Sequence, residues 1–283
     1  MQHEIALIDE TLDINQAPYY HISIQSSLNG FSFCILDTIN NKYVLLKHYK
    51  IDDNLPRNIY YEKIDELVKD EEWLDLPYKS ARFMNISDKV VFVPRRFFAE
   101  TDIKKHFEFA HDMEELDELH YNNLAIPDAC SVFSVPNYVA NSLLKKISGL
   151  QFYHHTSPML YNAFGNHQIT TPRVFINYHA HFVDVMVVEK DTMLFYNAFP
   201  YGAPSDVLYY ILYVYDKTGL NMEENELIIM GNVKKKSSHI EELSGYIKKI
   251  KFEKLSGGFV YSYTLNDIPS YRFTTLFNLY NCA

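Results

Sequence analysis

Cysteine, glycine and basic charge are all scarce in this chain of 283 residues, and each shortage excludes something. The three cysteines, Cys34, Cys130 and Cys282, lie far apart with no CxxC spacing. They fit neither a disulfide framework nor a zinc site and point to a reducing compartment. Lysine and arginine number 26 against 36 aspartates and glutamates, a net charge of −10. Such a chain has no overall field for nucleic acid. Its basic clusters, Lys234-Lys235-Lys236 and Lys248-Lys249-Lys251, are short enough to read as solvated surface. Glycine numbers nine, and no Walker loop, nucleophile elbow or GxGxxG is present. The apolar run Val207 to Tyr215 is about half of what a membrane-spanning helix needs. Met1-Gln2-His3-Glu4 begins no signal peptide. The expected location is cytoplasmic.

What is present describes a globular protein. Hydrophobic residues make up 47% of the chain and charged residues 22%, enough to build a core without metal or disulfide. Aromatic content is high, with 23 Tyr and 19 Phe. Those rings serve either as core or as a partner-binding surface.

Residues 1–18 read as an acidic arm ending at Pro18. Tyr20 to Gln25 alternates polar and apolar residues, the period of a strand. Asn29-Gly30 is a hairpin signal because both residues tolerate positive φ. Phe31–Ile35 and Tyr43–Tyr49 complete a three-stranded meander. Pro56 opens a helix predicted from Arg57 to about Leu76, with Ile59, Ile64, Leu67 and Val68 as its apolar stripe and Trp73 packing it onto the sheet. Val90-Val91-Phe92-Val93-Pro94 reads as the fourth strand, and a helix through Phe97, Phe98, Ile103, Phe107 and Phe109 follows.

The pattern returns downstream. Strands are predicted at Arg173–Asn177, His181–Val188, with Val183, Val185 and Val187 on one face, and Met193–Phe199. A helix from Pro204 to Tyr215, a strand at Glu226–Met230 and a helix from Ser237 to Ile250 complete it. Both halves therefore read βββαβα, a duplicated unit rather than a solenoid. Between them lie a strand at Ala129–Val135, a helix at Asn137–Ser148 closed by Gly149, a strand at Leu150–His155 and a helix starting at Pro158. The acidic run Asp112, Glu114, Glu115, Asp117 and Glu118 reads as a linker or a docking surface for a basic partner.

Two such units describe the fold class: α/β, two ribonuclease-H-like halves arranged as in actin-like ATPases. Local stretches carry the resemblance. Val90 to Phe98 resembles a strand, Val-Pro, aromatic-helix element of Hsp70 and bacterial actin relatives. Ser134-Val135-Pro136 through Gly149-Leu150 to Ala163 resembles the type IV pilus protein PilM and its secretion-system relatives. Ile268 to Leu279 resembles their last helix, though without the glycine expected there. The chain as a whole is similar to an uncharacterised bacterial family assigned to this fold, over most of residues 19–280. The implied organisation is an arm at 1–18 and a first half at 19–167 carrying an inserted segment at about 110–155. A second half spans 168–283, and its last helix, at about 268–280, returns to the first.

The resemblance also implies where nucleotide would bind. Actin-like enzymes hold ATP between the halves, with an Asp-x-Gly hairpin in each and a Gly-Gly after the fourth strand of the second. Glycine admits phosphate to backbone N–H groups and aspartate organises Mg²⁺. The first hairpin here, Ser26 to Phe31, keeps Gly30 and has no aspartate. The second, Asn177-Tyr178-His179-Ala180-His181, has neither glycine nor acid. The adenosine position is Gly231-Asn232, and Gly257-Gly258 falls out of register. Asn29, Gly30, Gly231 and Asn232 are thus the residues of a degenerate cleft. With both aspartates gone, phosphoryl transfer is not expected.

The expected function is a non-catalytic scaffold or adaptor that binds an unidentified protein partner, without cofactor, nucleic acid or membrane insertion. The alternative is a nucleotide-binding ATPase with divergent phosphate loops. A third reading is a metal-dependent hydrolase. It draws on His154, His155, His167, His179 and His181, with His179 and His181 at strand spacing and Asp184 on the opposite parity.

Overall fold

A computed structural model describes residues 3–165 and 170–282. His167 and the expected division between halves at 167–168 lie outside the described residues. The chain separates into a first unit, Met1–Met159 with Gly257–Asp267 and Thr275–Ala283, and a second unit, Leu160–Ser256 with Ile268–Thr274.

The first unit begins with β1 (Ile5–Ile8), β2 (Tyr20–Ser27), β3 (Gly30–Asp37), β4 (Lys42–Lys50), α1 (Arg57–Asp70) and β5 (Ser80–Asn85). An added segment follows, made of β6 (Val90–Pro94), α2 (Ile103–Glu108), β7 (Asp117–Leu124), β8 (Ala129–Pro136) and α3 (Asn137–Leu144). β9 (Gln151–His154) and the start of α4 (Thr156–Gly165) complete the run. The main sheet has the order β1-β4-β3-β2-β5-β9. Its meander is antiparallel, and β5 and β9 join parallel to β2. A separate antiparallel sheet runs β6-β8-β7, with Val93, Phe107 and Val132 as its core.

Three expectations change here. Val90–Pro94 is a strand, but it belongs to the added sheet, and the fourth strand of the βββαβα unit is β5, Ser80–Asn85. The first helix stops at Asp70. Trp73 then sits half-buried in a 3₁₀ turn, Glu72–Asp75, capped by Glu71. The acidic run is not all linker, since Asp117 and Glu118 start β7.

β2 and β3 alternate in sequence yet are buried on both faces. The reason is covalently distant. The last residues of the chain lie against this sheet: Tyr43 hydroxyl donates to the Phe277 carbonyl, and Arg82 donates to the Leu279 carbonyl at 3.0 Å. The polar residues so enclosed find partners. His21 bonds Ser80 Oγ at 2.7 Å and Ser23 Oγ at 3.1 Å. Glu71 takes Lys47 at 2.9 Å and the Tyr49 hydroxyl. Burial pushes the Asp9 carboxyl up, but Lys42 at 2.8 Å, Ser262 and Thr11 outweigh it and hold the group well below the usual carboxylate range. That contact ties the middle of the N-terminal arm to β4.

The second unit is β10 (Arg173–Tyr178), β11 (Phe182–Glu189), β12 (Thr192–Pro200), α5 (Pro204–Thr218), β13 (Leu227–Gly231), α6 (Ser238–Ser244) and β14 (Ile250–Phe252). Its sheet order is β12-β11-β10-β13-β14, antiparallel through the meander and parallel beyond it. This is the order of β4-β3-β2-β5-β9 in the first unit, strand for strand. Val183, Val185 and Val187 share the buried face with Val207, Ile211 and Val214 of α5, as the period-2 and helical patterns require. α6 is shorter than the predicted Ser237–Ile250: it stops at Ser244 before Gly245, and Ile250 belongs to the edge strand β14. Two short elements follow: β15 (Val260–Tyr261), parallel to β4, and α7 (Thr274–Asn278). Among the described residues, no helix is long and apolar enough to cross a membrane.

Candidate functional site

The first hairpin differs from the Asn-Gly turn that the sequence suggested. Ser27 pairs with Gly30, so Leu28 and Asn29 form the corner, and neither has positive φ. Gly30 is already strand β3. A Cβ there would lie 2.9 Å from the His48 ring and 2.9 Å from the Tyr49 carbonyl. Close approach of β4 therefore explains this glycine without any ligand. Asn29 accepts from Ser27 Oγ at 2.7 Å, and its carbonyl takes the Ile51 N–H. Tyr60 of α1 holds the hairpin from behind, bonding Ser26 Oγ at 2.9 Å and the Ser27 carbonyl at 2.7 Å.

The second hairpin is richer than its sequence implied. His179 N–H donates to the Phe182 carbonyl at 3.0 Å, which leaves Ala180 and His181 at the corner. His181 is exposed. His179 instead folds back, its ring stacked on Phe182 at 4.3 Å. Its Nε2 lies 2.8 Å from Asp184 Oδ2. Asp184 is fully buried on β11, directly opposite Asn177 on β10. Tyr196 hydroxyl donates to its other oxygen at 2.9 Å. Asn177 Nδ2 lies 3.0 Å from His179 Nε2 and 3.3 Å from Asp184 Oδ2. One imidazole nitrogen cannot both donate to the carboxylate and accept from the amide. A carboxylate oxygen is the stronger acceptor, so His179 Nε2–H donates to Asp184 and the Asn177 amide donates to Asp184 as well. The hairpin thus contains an acid after all, recruited from the next strand. The histidine pair at 179 and 181 is split and does not share a face.

Gly231 belongs to the same neighbourhood. It ends β13 with φ +90°, and a Cβ would sit 2.4 Å from the Tyr178 carbonyl oxygen and 2.5 Å from Asn177 Oδ1. Only glycine fits that backbone conformation and that space. Asn232 contributes its backbone N–H to the Tyr178 carbonyl at 2.8 Å, while its side chain is exposed. These residues lie at the carboxyl ends of the parallel strands β10 and β13, the place where open α/β sheets bind ligands. Behind the hairpin, Tyr178, Tyr201 and His239 form an aromatic group with ring separations of 5.4–6.3 Å. Burial pushes the Tyr178 and Tyr201 phenols up, and it pushes His239 down against the opposing pull of Glu242. The Tyr178 hydroxyl, Ser237 Oγ and His239 Nδ1 are buried and have no hydrogen-bond partner among the described residues.

The structure therefore brings Gly231 and Asn232 together with Asn177, His179 and Asp184. Asn29 and Gly30 belong to the first unit. Strand parity missed the His179–Asp184 pair, but the opposition of Asn177 and Asp184 across the hairpin was a usable signal.

The fold agrees with the comparisons to known proteins. Residues 9–250 match the family described as protein of unknown function (DUF3822), and the chain belongs to it. It is similar to a Bacteroides thetaiotaomicron protein with actin-like ATPase fold and unknown function, with a TM-score of 0.82 at 21% identity over 96% of this chain and 100% of that one. It also resembles the PilM–PilN type IV pilus biogenesis complex, with a TM-score of 0.60 at 9% identity over 92% and 97% of the two chains. Ethanolamine utilization protein EutJ from Carboxydothermus hydrogenoformans gives a TM-score of 0.52 at 10% identity over 98% and 93%. No curated protein matches the chain. The fold is the actin-like ATPase fold, with two ribonuclease-H-like units.

Proposed function

We propose, with that membership and fold as the premise, that the protein is a non-catalytic scaffold or adaptor that binds a protein partner and does not turn over ATP. The observation that carries this reading is the state of the two hairpins. In the first, Gly30 accommodates His48 and Tyr49, and no carboxylate is present. In the second, both oxygens of Asp184 are engaged, one by Tyr196 and one by His179. A Mg²⁺ shell needs carboxylate oxygens turned toward phosphate, so the donors present do not fit a Mg²⁺–nucleotide group. PilM is found in a complex with PilN, and the shared fold supports a partner-binding role here too.

Calorimetric titration with ATP and Mg²⁺, paired with a phosphate-release assay, tests this. The expected result is no sub-millimolar binding and no turnover. Binding together with turnover refutes it.

A second reading, a nucleotide-binding ATPase with divergent loops, is favoured by one observation. The buried polar atoms of Tyr178, Ser237 and His239 have no partners among the described residues, and Tyr178 lies opposite Gly231 at the carboxyl ends of β10 and β13. Binding in the same titration, with or without turnover, that is lost on replacing Tyr178 with Phe would select that reading.

A further inference from the structure

Two sheets of the same strand order differ at one edge. In the first unit the third meander strand, β4, has its outer edge occupied. β1 lies on it antiparallel, from Ile5 opposite His48 to Ile8 opposite Leu45, and β15 pairs with it at Lys42 and Tyr43. In the second unit the matching strand, β12, ends the sheet, and no strand pairs with its outer edge among the described residues. The hydrogen-bond pattern says which groups face outward. Tyr201 N–H donates to the His181 carbonyl at 3.1 Å. Antiparallel alternation along the register then turns the backbone of Phe199 and Asn197 toward β11 and that of Ala198 away from it.

Natural sheets protect such an edge with charge, proline, a bulge or short length. β12 is nine residues long, Thr192–Pro200, and carries no charge. Its bulge at Leu194 and its Pro200 lie toward the ends. Leu194 is 47% exposed. A continuous row of rings leads from the strand onto α5. Phe195 and Phe199 are 6.3 Å apart, Phe199 and Tyr210 4.5 Å, Tyr210 and Tyr209 5.7 Å, and Tyr209 and Tyr213 6.2 Å. Tyr209 is 63% exposed.

We propose that β12 is a homodimer edge, on which a second copy of this chain lays its own β12 antiparallel about a two-fold axis. Electrostatics selects the second copy. Each chain carries a net charge of −10, so two copies repel unless they meet through an uncharged surface. β12 and the facing stretch of α5, Val207 to Tyr215, contain no charged residue in a chain where 22% are charged. A two-fold axis normal to the sheet is isologous and closes at two copies. It sets both α5 helices on one face, with Tyr209 and Tyr213 of each beside the other. Tyrosine suits that role, since it offers large apolar area with a polar tip.

Sedimentation equilibrium of the full chain over about 1–100 µM tests the proposal. The expected mass is that of two chains. Leu194→Lys, which puts charge on the edge, should weaken the dimer at least about tenfold. Ala198→Pro removes the outward N–H and should do the same, while Tyr213→Glu tests the helix contact. Far-UV circular dichroism and the melting curve check that each variant folds, and Leu194→Lys suffices if the proline variant does not. Hydrogen exchange at the Ala198 amide should slow as concentration rises, with Phe199 unchanged. A single-chain mass at all concentrations overturns the proposal. So does a dimer that Leu194→Lys leaves intact, or a monomer whose β12 edge is protected only by an added apolar peptide.

Discussion

His21 makes the stability of the first unit depend on pH in a way that can be calculated. The ring is fully buried in β2, held by Ser80 and Ser23. The Tyr280 ring meets it edge-on at 4.9 Å. Burial, helped by the nearby Arg82 guanidinium, pushes its pKa down from 6.5 to about 3. A depressed native pKa means that the folded state excludes a proton the unfolded state accepts. The contribution is therefore complete above the unfolded value and is lost as pH falls below it. Between about pH 7.5 and pH 5 the loss is about 2 kcal/mol, and it would approach ~5 kcal/mol near pH 3. For a unit of this size the first figure lowers the melting temperature by roughly 4–8 °C. The assay is chemical denaturation at a series of pH values for the wild type and for His21→Gln, which keeps one hydrogen bond and cannot be protonated. Other groups titrate in both proteins, so the difference between them isolates His21. The wild type should lose about 2 kcal/mol more than the variant over that range. Parallel curves, or an imidazole NMR titration with its midpoint above about pH 6, refute the reasoning.

Two further predictions concern the second unit. Gly231→Ala should cost about 2–4 kcal/mol in a denaturant titration, because the added Cβ meets Tyr178 backbone in a left-handed conformation, whereas Asn232→Ala should stay within about 0.5 kcal/mol. Asp184→Ala should cost about 3–5 kcal/mol by stranding buried donors, and a cycle with His179→Ala should show coupling of about 1 kcal/mol or more. Additive effects would mean that the pair does not act as one.

The duplicated order was legible because the meander strands and α5 obey simple periods: Val183, Val185 and Val187 point one way because the pleat alternates. What escaped has tertiary causes. β5, Ser-Ala-Arg-Phe-Met-Asn, reads too polar for a central strand. Yet Arg82 bonds carbonyls near the end of the chain, and Asn85 Nδ2 donates to the Ser134 carbonyl at 2.9 Å. β14 is hidden because the predicted helix runs through to Ile250 and Lys248, Lys249 and Lys251 look like a solvated face. Lys251 in fact pairs with Glu226, next to the strand that β14 joins. At the candidate site, parity separated His179 from Asp184, but parity holds only within the pleat, and His179 has already left it.

The path of the chain through the first unit bears on how the protein is made. β2, β3 and β4 leave the ribosome long before Leu276, Phe277 and Leu279, and the face they share with those residues stays bare until residues 276–279 have been made. Cys34 Sγ meets the Leu276 carbonyl at 3.9 Å, and Tyr43 bonds the Phe277 carbonyl. These strands are thus completed only by residues made after the second unit. A nascent chain stalled before Thr275 would expose β2 and β3 to chaperones and proteases, whatever the state of the unit that follows them.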